Sequence, residues 1–188
     1  MKHIFRLLAC TFFIPLFFSC NNYSENTNVV LVDTLTTVDS VFDPLTGYST
    51  KFKLLIVSDS GVFRGKKMGI TKAQAMDSTL EKIEQDASSI TYNINLSATE
   101  YGDIKYNFNK DALSSVEVFV YPKDDSSLVA LKTELINFYS KKIGASVSTK
   151  KGKTVLLNTQ ENYGVEWSEE GNRKVKDLRM YVFSLSAL

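Results

Sequence analysis

Apolar residues recur along this chain with two periods, and the switches between them mark out its elements. Ile90, Tyr92, Ile94 and Leu96 alternate with Thr91, Asn93 and Asn95, which predicts a strand with one dry and one wet face. Tyr101-Gly102-Asp103 turns the chain into a second strand on Ile104, Tyr106 and Phe108. Asn109-Lys110-Asp111 turns it into a third on Val116, Val118 and Val120, which Pro122 to Asp125 ends. Between these runs the period lengthens to that of a helix. Ala73, Met76, Leu80 and Ile83 predict one helix, opened by Thr71 with Gln74 three residues later in a capping-box arrangement. Leu128, Leu131, Leu135 and Phe138 predict another, capped by Asp125 or Ser126 and closed by Gly144. Lys150 to Lys153 then reads as a hairpin loop, followed by strands over 154–159, around Val165 and Trp167, and over 175–185.

Helix plus three strands, twice, is the organisation this order predicts. The fold class is α+β, with two helices packed on one face of a mostly antiparallel sheet, since each element has one apolar side to hide. The tandem unit spans residues 69–188. Residues 29–68 form an approach segment whose run from Lys51 to Val57 is rich in strand formers and ends at Asp59-Ser60-Gly61.

The first twenty residues follow a different logic. Lys2, His3 and Arg6 precede an apolar run from Leu7 to Phe18, too short to span a bilayer, and Ser19-Cys20 closes it. Leu16-Phe17-Phe18-Ser19-Cys20 resembles a bacterial lipobox, with Phe17 where Leu, Val or Ile is usual. The resemblance implies a signal peptide over 1–19, cleavage before Cys20, lipid on that cysteine, and a polar tether over 20–28. Two or more acyl chains would hold such a protein stably in a membrane. Asn21 carries no acidic retention signal, so the expectation is a cell-envelope protein lipid-anchored in the outer membrane and facing the periplasm.

Composition then narrows the chemistry. Cleavage would leave 169 residues with 20 basic and 21 acidic side chains, a balance that gives no reason to expect a nucleic-acid partner. The sole histidine, His3, and Cys10 would leave with the leader, and Cys20 would be spent on lipid. No cofactor and no metal site built on His or Cys is expected, and catalysis by a Ser-His-Asp or Cys-His arrangement has no imidazole to use. Gly61 to Lys67 lacks the spacing and hydroxyl of a phosphate loop. Ser148-Thr149-Lys150-Lys151 fits Ser-x-x-Lys, yet it falls on a hairpin and lacks that motif's companions. Asp33, Asp39 and Asp43 lack calcium-loop spacing. Glu166, Glu169 and Glu170 are candidate carboxylates for a hydrolase, and surface charge explains them more simply. Lys141, Lys142, Lys150, Lys151 and Lys153 read as a solvated lysine edge rather than a headgroup site.

Gly69-Ile70-Thr71-Lys72-Ala73-Gln74 resembles the helix start of SmpA/OmlA-type outer-membrane lipoproteins, with Ile70 in place of Met and no Leu-Gly-x-Pro ending after the helix. The tandem order of helix and antiparallel strands is similar to that of β-lactamase-inhibitor-like proteins. These resemblances imply a non-enzymatic envelope protein that works by binding another envelope protein, as a scaffold or as an inhibitor or immunity protein. The surface for it follows from parity. If Val116, Val118, Val120, Met180 and Val182 face the helices, then Phe119, Tyr121, Arg179, Tyr181 and Phe183 face away. Phe63 and Arg64, in the loop before the first helix, form a second candidate contact. A competing expectation is that residues 29–57, which hold apolar side chains of their own, fold back over the open face and make it core.

Overall fold

A computed structural model describes residues 43–144, 147–150, 152–172 and 174–187. The leader, Cys20, the tether and residues 29–42 lie outside the described residues.

The first element corrects the sequence reading. Residues 50–56, expected to be extended, form helix α1 (Thr50–Ile56), capped by the Ser49 side chain, which accepts from the Phe52 N–H. Phe52, Leu55 and Ile56 stand at helical spacing and are buried, and Tyr48 stacks on Phe52 with ring centroids 4.2 Å apart. Tertiary burial of this stripe overrides the strand propensity of its residues.

The next element is shorter than its pattern. The capping box of Thr71 and Gln74 forms, but helix α2 covers only Lys72–Ala75, and Met76 and Ile83 are exposed rather than on a buried stripe. The cause lies at Asp77. Its Oδ1 accepts from the Thr79 N–H and hydroxyl, a local turn that competes with helix continuation, while its Oδ2 holds Arg64 at 3.0 Å.

The remaining chain follows the order β1 (Glu81–Gln85), β2 (Ser89–Asn95), β3 (Tyr101–Asn109), β4 (Ala112–Tyr121), α3 (Asp125–Ile143), β5 (Ser148–Lys150), β6 (Lys153–Asn158), β7 (Tyr163–Glu170) and β8 (Asp177–Ser184). These make one antiparallel eight-stranded sheet in the order β1-β2-β3-β4-β8-β7-β6-β5. The α+β class is as expected, whereas each run of strands has four members rather than three. The two unforeseen strands, β1 and β5, are the sheet's two edges. Every residue of β1 is exposed, so it has no apolar alternation to read, and its Glu-Lys-Ile-Glu-Gln composition suits an edge that must not recruit a further strand.

One face of the sheet carries the core. Ile90, Tyr106, Val116, Val182, Val165 and Leu156 form a row across six strands, and Tyr92, Ile104, Val118, Met180 and Trp167 form the next. Helix α3 lays Leu128, Leu131, Leu135, Phe138 and Tyr139 on these rows, with the rings of Tyr139 and Trp167 5.7 Å apart. Full burial of each such side chain is worth about 1.5–3 kcal/mol. Asp124 caps α3, one residue before the expected position, and Gly144 closes it in the left-handed conformation. Two short helices accompany α3 on this face: α1, and α2, which reaches the core only through Ala75, with Leu80 packing beside it. Leu45, Phe52, Leu55 and Ile56 belong to the same core. Residues 45–57 thus pack on the helix side, and the expectation that this part of the chain covers the other face is corrected.

Two buried ionic groups fasten α1. The Glu100 carboxylate, in the β2–β3 turn, pairs with Lys51 of α1 and accepts from the Ser127 hydroxyl of α3, the Lys123 N–H at 3.2 Å and the Ser97 hydroxyl at 3.1 Å. Arg64 donates to the carbonyls of Leu54 at 2.6 Å and Leu55 at 3.2 Å, satisfying acceptors that the end of α1 leaves unpaired.

Candidate functional site

Strand alternation sends every second side chain to the face opposite the helices. On β4 these are Ser115, Glu117, Phe119 and Tyr121, and on β8 they are Arg179, Tyr181 and Phe183. The register sets Phe119 against Arg179, Glu117 against Tyr181 and Ser115 against Phe183. The five residues picked out by parity therefore lie together on the two central strands, on the side that neither α1 nor α3 covers. All five are half-buried.

Arg179 organises the group. Its guanidinium carbon lies 5.8 Å from the Phe119 ring centre and 5.3 Å from that of Tyr181, within cation–π range of both. Its terminal nitrogens contact Glu117 at 3.3 Å and Glu170 at 3.4 Å, and its buried Nε has no hydrogen-bond partner. Tyr181 stacks on Phe183, with ring centroids 5.3 Å apart and planes 19° from parallel. Phe183 in turn leans over Gly164 of β7. A Cβ there would fall 2.5 Å from the Phe183 ring and 2.9 Å from Leu157 of β6, so glycine is what lets these two side chains close over the strand. At the other end Tyr121 meets Tyr101 of β3 at 4.8 Å. An apolar and aromatic strip runs from Leu157 through Phe183, Tyr181, Arg179 and Phe119 to Tyr121 and Tyr101, and its two ends, Leu157 and Tyr101, are exposed by 48% and 46%.

Polar groups border the strip. The Tyr121 hydroxyl donates to Asp103 at 3.1 Å, and Asn93 donates to the other oxygen of that carboxylate at 3.3 Å. Burial first, and then the Asp103 carboxylate, push the Tyr121 phenol up to about 12, which keeps it a donor throughout the neutral range. The Asn107 amide donates to the Ser115 hydroxyl at 3.2 Å, and the Ser168 hydroxyl donates to Glu170 at 3.0 Å.

The three carboxylates named as hydrolytic candidates do not converge. Glu166 pairs with Lys153 at 2.7 Å and Glu170 with Arg179, both on the open face. Glu169 points to the helix side, where Lys132 of α3 holds it at 2.6 Å. Each is bound to a cation. The lysine edge is divided as well. Lys153 belongs to the open face, while Lys142 lies over the Phe138 ring at 5.5 Å and donates to the Asp59 carbonyl, its ammonium pulled below the usual lysine range by burial.

Phe63 and Arg64 offer a partner nothing. Phe63 is 1% exposed and Arg64 8%, and the arginine spends its donors on Asp77, Thr79 and the end of α1. This corrects their reading as a second contact. Sequence reasoning missed Tyr101, Leu157 and Gly164. Tyr101 reads as a turn residue, and the other two join the strip only through the β8-β7-β6 order.

Among the described residues no helix is long and apolar enough to cross a membrane, and no group of three His, Cys, Asp or Glu side chains is placed to hold a metal ion. Comparison of the chain with protein-family models, with curated proteins and with solved structures finds no match.

Proposed function

We propose that the chain is a lipid-anchored, periplasm-facing envelope protein, and that it binds another protein through the open face of its sheet without performing chemistry. The observation that carries this reading is the continuous strip from Leu157 to Tyr101 on the face opposite the one that the core-forming helices cover. Rigid aromatic side chains, an arginine and a polar border are the composition of a protein-binding patch. The six inner strands, at about 4.8 Å spacing and roughly 26 Å long, offer about 750 Å², close to the ~800 Å² that one partner contributes to a stable interface. The side chains there are held by neighbours before any partner arrives, which reduces the ordering cost of association. The two meanders meeting at β4 and β8 support the reading of the domain as two tandem halves, with the strip centred on their junction. Location at the envelope rests on the lipobox-like ending at Cys20.

The test is site-directed photo-crosslinking in cells that make the full chain. Benzoylphenylalanine in place of Phe183 is expected to give a discrete protein adduct that Tyr181→Ala removes. The same group in place of Val129, exposed on α3, is expected to give none. Absence of an adduct at 183, or identical adducts at both positions, overturns the binding reading. Mass spectrometry of the mature N-terminus decides the anchor separately, with acylated Cys20 expected and an uncut or unacylated start refuting it.

A further inference from the structure

Charge is distributed unevenly over this fold. The whole chain is balanced, with 22 basic and 21 acidic residues, yet the inner strands of the open face are not. Asp103, Glu117, Glu166, Glu170 and Asp177 share that face with only Lys105, Lys153 and Arg179, as the strand registers place them. On the two outer strands the register sets Glu81 and Glu84 opposite Asn93 and Thr91, and Lys150 opposite Lys153, so the acidic excess persists across the sheet. Arg179, at the centre of the strip, is already engaged by Glu117 and Glu170 and covered by the rings of Phe119 and Tyr181. Lys153 is likewise engaged by Glu166. Asp103 takes its hydrogen bonds from the neutral donors Tyr121 and Asn93, so those bonds leave its charge in place.

We infer that the partner of the open face is a polypeptide presenting lysine or arginine side chains, a basic loop laid along the aromatic strip. This deepens the protein-binding reading and rests on it. Two features of the strip suit such a loop. Tyrosine and phenylalanine rings attract cations through their faces, as Arg179 shows within the chain. Carboxylates on either side of the rings supply further acceptors and negative charge for a lysine or arginine side chain. The same charge excess disfavours two other occupants. A second copy would bring one acidic face against another, and an anionic lipid surface would meet the same repulsion.

The probe is a phage-displayed library of random disulfide-closed twelve-residue loops, panned on the full chain and scored against two variants. One carries Tyr181→Ala and Phe183→Ala, and the other carries Glu117→Gln, Glu166→Gln and Glu170→Gln. Loops that lose binding about tenfold or more on the aromatic variant define ligands of the face. These are expected to be net positive, to weaken about tenfold between roughly 50 and 500 mM salt, and to weaken similarly on the glutamine variant. The salt series uses the unmodified chain, so it reads the charge term even where a variant folds poorly. Face-dependent loops that are neutral or acidic, or whose affinity ignores salt, overturn the basic-partner inference while leaving the binding face standing. A selection that yields no face-dependent loops overturns both.

Discussion

Replacing Glu100 by glutamine tests the packing of α1 through a single charge. The residue is 3% exposed, and its carboxylate holds together the β2–β3 turn, α1 and the start of α3. Burial pushes its pKa upward, but the Lys51 ammonium, the Ser127 hydroxyl, the Lys123 N–H and the Ser97 hydroxyl outweigh burial and hold it at about 2, against an ordinary 4.5. At about 1.36 kcal/mol per pH unit, that difference corresponds to roughly 3 kcal/mol of stability. Because the folded state holds the lower pKa, the contribution is complete above the unfolded value of 4.5 and is lost as pH falls toward 2. Glu100→Gln removes the charge and keeps the shape. Urea denaturation at pH 7 is therefore expected to show a loss of about 2–3 kcal/mol, some of the full value being screened because the Lys51 side chain is 29% exposed. At pH 3.5 the gap between the two proteins is expected to narrow by about 1.4 kcal/mol, since the native chain has by then lost that much of the term. A gap below about 0.5 kcal/mol at pH 7, or one independent of pH, would refute the reasoning.

Other perturbations separate scaffold from surface. Arg64→Met strands the Asp77 carboxylate and two carbonyls of α1, and urea denaturation is expected to show a loss of about 3 kcal/mol. Gly164→Val drives a side chain into Phe183 and Leu157. A loss of about 1–3 kcal/mol is expected by thermal denaturation, together with loss of the crosslink from position 183. Asp124→Ala removes the α3 cap that accepts from the Ser127 N–H, for an expected loss of about 1 kcal/mol in the same assay.

How much of this was legible depends on what each residue buries. Strands β2, β3, β4, β6, β7 and β8 announce themselves because one of their faces is dry, and α3 because Leu128, Leu131, Leu135 and Phe138 repeat at helical spacing within its 19 residues. The edge strands bury almost nothing, so no alternation marks them. Helix α1 has seven residues, and its stability comes from Tyr48 and Phe138 closing on Phe52 rather than from local pattern. The truncation of α2 comes from the turn that Asp77 makes with Thr79, and the Arg64 contact that holds Asp77 there spans 13 positions, beyond any pattern read around Thr71. The central residues of the open face were readable because parity needs only one strand at a time. Its ends were not, because Gly164 and Leu157 become neighbours of Phe183 only once β7 and β6 are ordered beside β8. Phe63 and Arg64 misled for a related reason, since a loop arginine that caps a helix is indistinguishable in sequence from one that meets a partner.

The openness of the face is the premise on which partner binding stands, and hydroxyl-radical footprinting of the full chain measures it residue by residue. Tyr101, Phe119, Tyr181 and Phe183 are expected to be modified, while Tyr106, Tyr139, Tyr163 and Trp167, buried on the helix side, stay protected. Protection of Tyr181 and Phe183 equal to that of Trp167 in the isolated chain would mean that another part of the protein already occupies the strip, and would contradict the account.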